Sequence, residues 1–301
     1  MHRTILEGSG SDGFGYELRV FTMIFDSFRR RVGLILFGML AALAGLSAES
    51  GHRASAIQIP QSPPPKSRAT QSSRPSPPKG LPMPFHPGER LSYEVSWAAF
   101  ATAASLELSI PELRDLYGWR TWHFRAAAHT ESPLRALFAI DDEFDSYTDA
   151  TTLESRQFES YLNEMGRKQD QQWRFVSEGQ VSRAPEPTVI VLPGTRDPLG
   201  AFYALRSVDW QPAPEIRALV YDGHEFYEMR ARMAASAETV EVPAGRFSTA
   251  RIAVQVFQHN KELSGINFTI WLGSDPARTP VRMRAELPFG TLRVELTSPG
   301  R

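Results

Sequence analysis

Residues 91–97 have the sequence Leu-Ser-Tyr-Glu-Val-Ser-Trp, in which apolar and polar side chains alternate. Successive side chains of a β-strand point to opposite faces, so this period of two predicts a strand with one buried face and one face in water. The same alternation recurs at residues 104–110, 122–128, 250–256, 266–272, 281–287 and 292–296. Because antiparallel sheets commonly keep one face wet, the pattern indicates a sheet of this type.

The connections between these segments carry turn residues, as at Pro243-Ala244-Gly245 and Asp275-Pro276. Parallel strands would need crossover connections, and no helical segments separate the strands in this way. We expect about ten to twelve strands, most of them joined by short turns. The sequence therefore predicts an all-β fold, a single strongly curled antiparallel sheet that is half closed or closed into a barrel.

Two short segments have a helical pattern instead. Ser132 can cap a helix that opens at Pro133, and Asp197 can cap one that opens at Pro198. The segments are PLRALFAI at residues 133–140 and PLGAFYALR at residues 198–206. We expect two short helices that act as plugs or lids on the sheet.

Residues 1–48 have the features of an N-terminal extension and a signal peptide. Arg29, Arg30 and Arg31 precede an uncharged apolar segment at residues 32–48, which is the layout of a secretory signal. Because the residues before Met23 are mixed and polar, Met23 is the more natural initiator. The sequence predicts an exported protein of the periplasm. An uncleaved segment that anchors the chain in the inner membrane is the alternative, since about 17 residues is the lower limit for a spanning helix.

The next segment, residues 49–84, is rich in proline and polar residues, among them the run Pro63-Pro64-Pro65. Such a composition cannot bury enough apolar surface to offset the loss of chain entropy. We expect a disordered, extended linker here, followed by one antiparallel β domain at residues 85–301.

The charge balance is nearly neutral, with 33 Lys and Arg against 34 Asp and Glu. Binding to nucleic acid usually requires a basic face, so we expect no nucleic-acid partner. The chain has no Cys, which excludes disulfides and thiolate metal sites. We expect no metal and no cofactor.

Four motifs resemble those of a known bacterial family. They are Gly88-Glu89-Arg90-Leu91 to Trp97; Asp197-Pro198-Leu199 with Tyr203, Leu205 and Arg206; Gly245-Arg246-Phe247 with Arg251-Ile252; and Trp271-Leu272-Gly273-Ser274-Asp275 with Arg278, Pro280 and Val281. In this order they resemble the exported family called domain of unknown function 3108. The resemblance implies a protein of the cell envelope without an established activity or catalytic set. At the level of the fold alone, the chain is also loosely similar to curled-sheet lipid and lipoprotein carriers of the periplasm.

Candidate catalytic groups are few. His123 and His129 share one face of a predicted strand, but about 20 Å separates them at ~3.3 Å per residue, too far for one metal ion. We interpret both as surface or rim residues. An acidic run consists of Asp141, Asp142, Glu143 and Asp145. It lacks the pattern of a calcium loop, and we interpret it as the solvent-exposed start of a strand. No nucleophile elbow is present, so we expect a protein that is not an enzyme.

The aromatic content suggests a ligand instead. A curled sheet of eight or more strands begins to have room for a small molecule. We predict that Tyr93, Trp97, Leu106, Leu108 and Phe124 line a site for an apolar or lipid-like molecule, although a packed core would use the same residues. The alternative is a structural or protein-interaction scaffold of the envelope, which pairs with an envelope protein through a sheet edge. Gly245, Asp275 and Arg278 are interpreted as structural turn residues.

Overall fold

The computed structural model describes residues 83–97, 100–180, 182–211, 215–263, 267–287 and 290–299. The predicted signal peptide, the initiator Met23 and all but the last two residues of the predicted linker lie outside these residues. The described residues cover almost all of the predicted β domain.

Within these residues, one sheet of fourteen strands and one α-helix make up most of the regular structure. The strands are β1 (Arg90–Trp97), β2 (Phe100–Leu116), β3 (Trp119–Thr130), β4 (Asp141–Asp149), β5 (Ser155–Glu164), β6 (Arg167–Ser177), β7 (Val189–Val191), β8 (Ile216–Tyr221), β9 (Phe226–Val242), β10 (Gly245–Gln258), β11 (Lys261–Glu262), β12 (Asn267–Gly273), β13 (Pro280–Leu287) and β14 (Gly290–Pro299). The helix α1 spans Pro198–Ser207. The strand order is β7-β6-β5-β4-β3-β2-β1-β14-β13-β12-β10-β9-β8, with β11 paired to β10 alone.

The alternation of the sequence becomes the two faces of this sheet. In β1, Leu91, Tyr93 and Val95 are 3%, 2% and 0% exposed, whereas the residues between them are half-buried. Tyr93 lies opposite Leu106 of β2, which lies opposite Ala128 of β3. The predicted antiparallel neighbourhood of the first three strands is confirmed. We call the face that carries Tyr93 and Leu106 the inner face, and the opposite one the outer face.

The sheet is not closed into a barrel, so the closed form of the prediction is wrong. Strand β7 forms one edge and β8 the other. Between β7 and α1, Arg196 pairs with Val220 of β8: its N–H donates to Leu219 O at 2.9 Å, and its carbonyl accepts from Tyr221 N at 2.9 Å. Side chains of β6 and β8 also meet, since Phe175 contacts Tyr221 edge to face with ring centroids 5.7 Å apart. Since β7 has only three residues and the chain soon turns into α1, no continuous ladder forms between the edges. The all-β antiparallel sheet itself is confirmed, apart from the parallel pairing of β7 with β6.

Only one of the two predicted helices forms. Helix α1 begins after Asp197, whose carboxylate accepts a hydrogen bond from Gly200 N at 2.8 Å, as an N-cap residue does. The segment after Ser132 forms a 3-10 turn of three residues, Leu134–Ala136, without a side-chain cap. It then returns to the sheet, where Ile140 pairs with Glu164. None of the helices in the described residues is long and apolar enough to cross a membrane.

Candidate ligand-binding site

Four of the five predicted ligand-binding residues lie together on the inner face. Tyr93, Leu106, Leu108 and Phe124 are 2%, 4%, 0% and 0% exposed. The fifth, Trp97, lies at the end of β1, is half-buried and stacks on Phe100 with ring centroids 6.2 Å apart. The five residues therefore share one face, but only Trp97 reaches its margin.

Helix α1 packs directly on this cluster. The ring of Tyr203 stacks on Phe124 with centroids 3.8 Å apart. Phe85, which precedes β1, contacts both rings edge to face at 5.4 Å. Stacked and edge-to-face aromatic pairs stabilise such a cluster beyond the burial of their area. Side chains of the protein itself therefore fill the inner face beside α1.

A buried ion pair fixes the C-terminal end of α1. Arg206 is 1% exposed and donates two hydrogen bonds to the carboxylate of Glu89, at 2.5 and 2.9 Å. The same guanidinium donates to Ala277 O at 2.8 and 3.0 Å. Burial alone would lower the pKa of Arg206, but the hydrogen bond and the charge of Glu89 raise it. A desolvated pair of this kind needs hydrogen bonds to its remaining polar atoms, and each guanidinium nitrogen of Arg206 has at least one acceptor.

Asp197 fixes the other end of the helix. Its side chain is fully buried and accepts hydrogen bonds from Ser146, at 2.6 Å, and from Ser155. Burial raises the pKa of this carboxyl, while the hydroxyl and backbone donors act against the shift. Gly200 lets the helix approach, because a Cβ at this position would lie 2.8 Å from Thr148 Cγ2. Helix α1 is thus held at both ends by buried polar groups.

We call the end of the sheet occupied by α1 the helix end, and the opposite end the far end. Because the strands are antiparallel, β1, β3 and β5 finish at the far end, where β2, β4 and β6 begin. Several large apolar residues at this end are half-buried or exposed. They are Trp97 and Phe100 in the β1–β2 hairpin, Leu137 after the 3-10 turn, and Met165 in the β5–β6 turn.

One carboxyl lies buried on the inner face near the far end. Asp142 is 4% exposed, lies opposite Ala128, and accepts a hydrogen bond from Asn163 N at 2.9 Å. Burial raises its pKa to about 7, with smaller contributions from the charges of Glu164 and Asp141. The sequence interpretation placed Asp142 in a solvated run and missed this environment. The alternation could have revealed it, since Asp142 is two residues before the buried Phe144.

The other carboxylates of the acidic run lie on the outer face and pair with cations. Asp141 binds Arg135 through two hydrogen bonds, at 2.8 and 2.9 Å, and the hydrogen bond with Arg135 lowers its pKa. Asp145 is 1% exposed and lies 2.6 Å from His123 Nε2 and 2.8 Å from Arg125 Nε. Burial would raise the pKa of Asp145, but these two donors hold it below its usual value.

The interpretation of His123 as a surface residue is therefore wrong, because it is 6% exposed. The imidazole of His123 contacts Asp145 and also stacks on the ring of Tyr147, with ring centroids 4.5 Å apart, and this stacking covers it. His129 is exposed, as predicted. In the described part of the chain, no group of three or more His, Asp or Glu side chains is arranged to hold a metal ion.

A shallow groove of about 850 Å³ crosses the outer face over β1 to β4. Its carboxylates already have partners within the protein. These pairs are Glu94 with Thr102, Glu107 with Arg90, Glu131 with Ser105, Asp141 with Arg135, Glu143 with Arg125, and Asp142, which also borders the groove, with Asn163 N. The groove thus offers mainly satisfied polar groups, and it is not our candidate site.

The predicted turn residues lie around the helix end. Gly245 begins β10 with φ of 128°, an angle that residues with a Cβ avoid. The carbonyl of Asp275 accepts from Arg278 N at 3.0 Å, and Arg278 Nη1 donates to Ser207 O at 2.8 Å, at the last residue of α1. Arg278 therefore contacts the helix as well as its own turn.

These features define the class of protein. It has an open, all-β antiparallel sheet, and buried polar groups hold the one α-helix of the described residues against the inner face of this sheet. The model of the family described as "Protein of unknown function (DUF3108)" matches residues 92–297, and the chain belongs to this family. The predicted resemblance is confirmed. The family motifs meet in the fold, since Glu89 of the first motif binds Arg206 of the second, which contacts the segment between Asp275 and Arg278 of the fourth.

Three solved structures are similar to the chain at low identity. A β-barrel-like protein of domain of unknown function DUF1849 from Brucella abortus is 11% identical, with 70% of this chain and 96% of that chain covered and a TM-score of 0.47. A "putative lipoprotein" from Parabacteroides distasonis is 11% identical, with coverage of 71% and 95% and a TM-score of 0.34. A "putative exported protein" with YmcC-like fold from Bacteroides fragilis is 10% identical, with coverage of 73% and 98% and a TM-score of 0.30. No curated protein matches the chain.

Proposed function

We propose that the protein is an exported module of the cell envelope that binds an apolar or lipid-like molecule. Binding is by reversible burial against the inner face at the far end, without covalent chemistry. The observation that carries this proposal is the asymmetry of the inner face. At the helix end the rings of α1 fill it, whereas at the far end Trp97 and Phe100 are only half-buried. Leu137 and Met165, in the loops beyond this margin, are exposed.

Three of the predicted lining residues, Tyr93, Leu108 and Phe124, then belong to the packed part of the inner face beside the site. The hydroxyl of Tyr93 donates to Pro280 O at 2.9 Å, and burial raises the pKa of this phenol well above its usual value. Phe124 carries the stacked ring of Tyr203. Trp97 contacts the ligand directly, because it lies at the margin of the face and has an apolar ring of large area.

Export is supported by the sequence of residues 29–48, where three arginines precede an uncharged apolar segment. We place the protein in the periplasm, with an uncleaved anchor in the inner membrane as the alternative. Both locations bring the domain close to lipid.

Native mass spectrometry of the full chain, purified gently from its own cells, tests the proposal. We expect a protein species that carries an added lipid-sized mass, and a smaller fraction of this species for Trp97→Ala. Trp119→Ala is a matched control, because Trp119 lies at the start of β3, at the helix end. A bare polypeptide in every preparation, also after incubation with a lipid extract, would refute ligand binding.

The scaffold function is the second candidate, and one feature of the β7 edge favours it. Ile190 and Leu192 are 72% and 61% exposed, and an edge strand with exposed apolar side chains can pair with a strand of another protein. Crosslinking in cells would then capture an envelope protein through β7. If replacement of both residues by Ser leaves the crosslinked species unchanged, this candidate is eliminated.

A further inference from the structure

The two ends of the sheet meet along a seam that has no strand ladder. We define the seam as the contact of Trp173, Phe175 and Arg196 with residues 219–224, which form the end of β8 and most of the β8–β9 turn. Among the described residues, two backbone hydrogen bonds cross the seam, both of them made by Arg196. Everywhere else, from β6 through β1 to β8, an antiparallel ladder joins each strand to the next. The sheet can therefore separate at the seam with the smallest loss of backbone hydrogen bonds.

Side chains hold the seam closed, and Trp173 is the largest of them. A Cβ at Gly223 would lie 2.4 Å from two atoms of the indole, Cε2 and Cζ2, so the ring rests on the bare backbone of the turn. The ring also contacts His224 edge to face, with centroids 5.7 Å apart, and it stacks on Phe158 of the inner face at 5.5 Å. Trp173 thus connects the turn to the inner face, and a movement of the turn would uncover its indole.

Two buried polar atoms at the seam have no hydrogen-bond partner among the described residues. One is Oδ2 of Asp222, a residue that is 3% exposed, and the other is Nε of Arg196. A buried polar atom without a partner costs the free energy of its desolvation. Because separation of the seam would let water reach both atoms, these two groups oppose the closed arrangement.

An apolar ligand that extends from the far end along the inner face needs room that the closed arrangement lacks. Tyr93, Phe124, Phe158, Phe175 and Met283 of this face are at most 4% exposed, and packed interiors leave few voids larger than a water molecule. Widening the sheet between two paired strands would break a ladder, whereas widening it at the seam breaks two backbone hydrogen bonds. The seam is thus the place where room can be made while the ladders persist.

We infer that the seam is a gate, in which the β8–β9 turn moves away from Trp173 and the inner face widens to admit the apolar ligand. This inference rests on the proposed function and deepens it, because it assigns the step that controls uptake. The gate opens as a local event below the free energy of global unfolding. Its opening can therefore be measured without a ligand.

Hydrogen exchange of the full chain, followed by NMR without ligand, tests the opening itself. The amides of Arg196 and Tyr221 donate the two hydrogen bonds that cross the seam. After correction for intrinsic rates, we expect both to exchange at least about 100-fold faster than the amides in the ladders of β1, β2 and β14. Exchange of the two amides at the rate of these ladders would overturn the gate.

The substitution Gly223→Ala should favour the open gate, because the added Cβ would meet the ring of Trp173. We expect exchange at Arg196 and Tyr221 to rise by a further factor of about 10, with little change in β1 and β14. Gly166→Ala is the matched control. Gly166 also has a positive φ, 78° against 104° for Gly223, but no described atom lies within 4 Å of its Cβ position. Equal effects of the two substitutions on the seam amides would overturn the role of the Trp173 contact.

A reversible crosslink tests whether the opening controls uptake. Arg196 and Val220 are paired residues of the seam, and neighbouring strands lie about 4.8 Å apart, within the reach of a disulfide. Because the chain has no Cys, Arg196→Cys/Val220→Cys can form no other disulfide within the chain. In native mass spectrometry after incubation with a lipid extract, we expect the lipid-carrying fraction to be at least about 10-fold lower in the oxidised form and to recover after reduction. The control Asn163→Cys/Lys168→Cys crosslinks an existing pair of β5 and β6 and should take up lipid equally in both forms.

The gate and the ligand site fail in different ways. Equal uptake of lipid by the oxidised and the reduced form of the seam variant would overturn the gate and leave ligand binding in place. Fast exchange at Arg196 and Tyr221 in a chain that never carries a lipid would overturn the proposed function, and with it the role of the seam in uptake.

Discussion

The buried carboxyl of Asp142 makes the stability of the fold depend on pH in a direction that an experiment can check. Asp142 is 4% exposed on the inner face and accepts one backbone hydrogen bond, from Asn163 N. The substitution Asp142→Asn retains an oxygen that can accept this bond and nearly the same volume. It removes only the ability to ionise.

The direction in which stability changes with pH follows from the pKa of Asp142, which burial raises from 3.8 to about 7. The folded protein binds this proton more tightly than the unfolded chain, so the free energy of unfolding falls as the pH rises from about 4 to about 7. A shift of about three units corresponds to about 4 kcal/mol at ~1.4 kcal/mol per unit. Asp142→Asn should therefore be more stable than the wild type at pH 8, by about 2 to 4 kcal/mol, and of equal stability at pH 4.

Urea unfolding of both proteins at pH 4, 6 and 8 measures this difference. Asp141→Asn is the matched control, because Asp141 is partly exposed and the hydrogen bond with Arg135 lowers its pKa. The control should lose stability at neutral pH, by less than about 1 kcal/mol for a solvent-screened pair. A stability difference between Asp142→Asn and the wild type that is independent of pH, or negative at pH 8, would refute the assignment of Asp142 as a buried inner-face carboxyl.

Two further predictions concern the attachment of α1. Glu89→Ala should destabilise the fold by about 3 to 5 kcal/mol in urea unfolding, because Arg206 would stay buried without its partner. The control Arg90→Ala removes an ion pair whose arginine side chain is 64% exposed, so it should change stability by less than about 1 kcal/mol. Equal effects of the two substitutions would contradict the burial of the Glu89–Arg206 pair. Gly200→Ala should lower stability by about 1 to 3 kcal/mol despite the better helix propensity of Ala, because the added Cβ would lie 2.8 Å from Thr148 Cγ2. A rise in melting temperature for Gly200→Ala would show that the helix is less tightly packed on β4 than described.

The sequence predicted seven strands in which one face is apolar, but it did not locate β8 or β9, although the first part of β9 has the same alternation on its buried face. Alternation located β1 to β3, β10 and β12 to β14, and the turn residues gave their antiparallel order. It did not delimit β5 and β6, because residues such as Gln157, Glu159 and Gln172 form hydrogen bonds to one another on the outer face. Burial of polar groups by other polar groups leaves no hydrophobic period to detect.

The candidate site was predicted only in part. The inner-face position of Tyr93 and Phe124 followed from periodicity, but the packing of Tyr203 on Phe124 joins residues far apart in sequence. The exposure of Met165 depends on a tight turn and on the loop after Leu137, and neither has a periodic signal. The second expected helix failed because residues 137–140 return to the sheet after a single 3-10 turn.

The position of a bound lipid is the most direct measure of the central claim. We would determine the structure of the purified protein after incubation with a short-chain phospholipid. The account predicts an acyl chain on the inner face at the far end, in contact with Trp97 and next to Ala128 and Asp142. An inner face packed entirely with the protein's own side chains, or a lipid found only on the outer face, would contradict it.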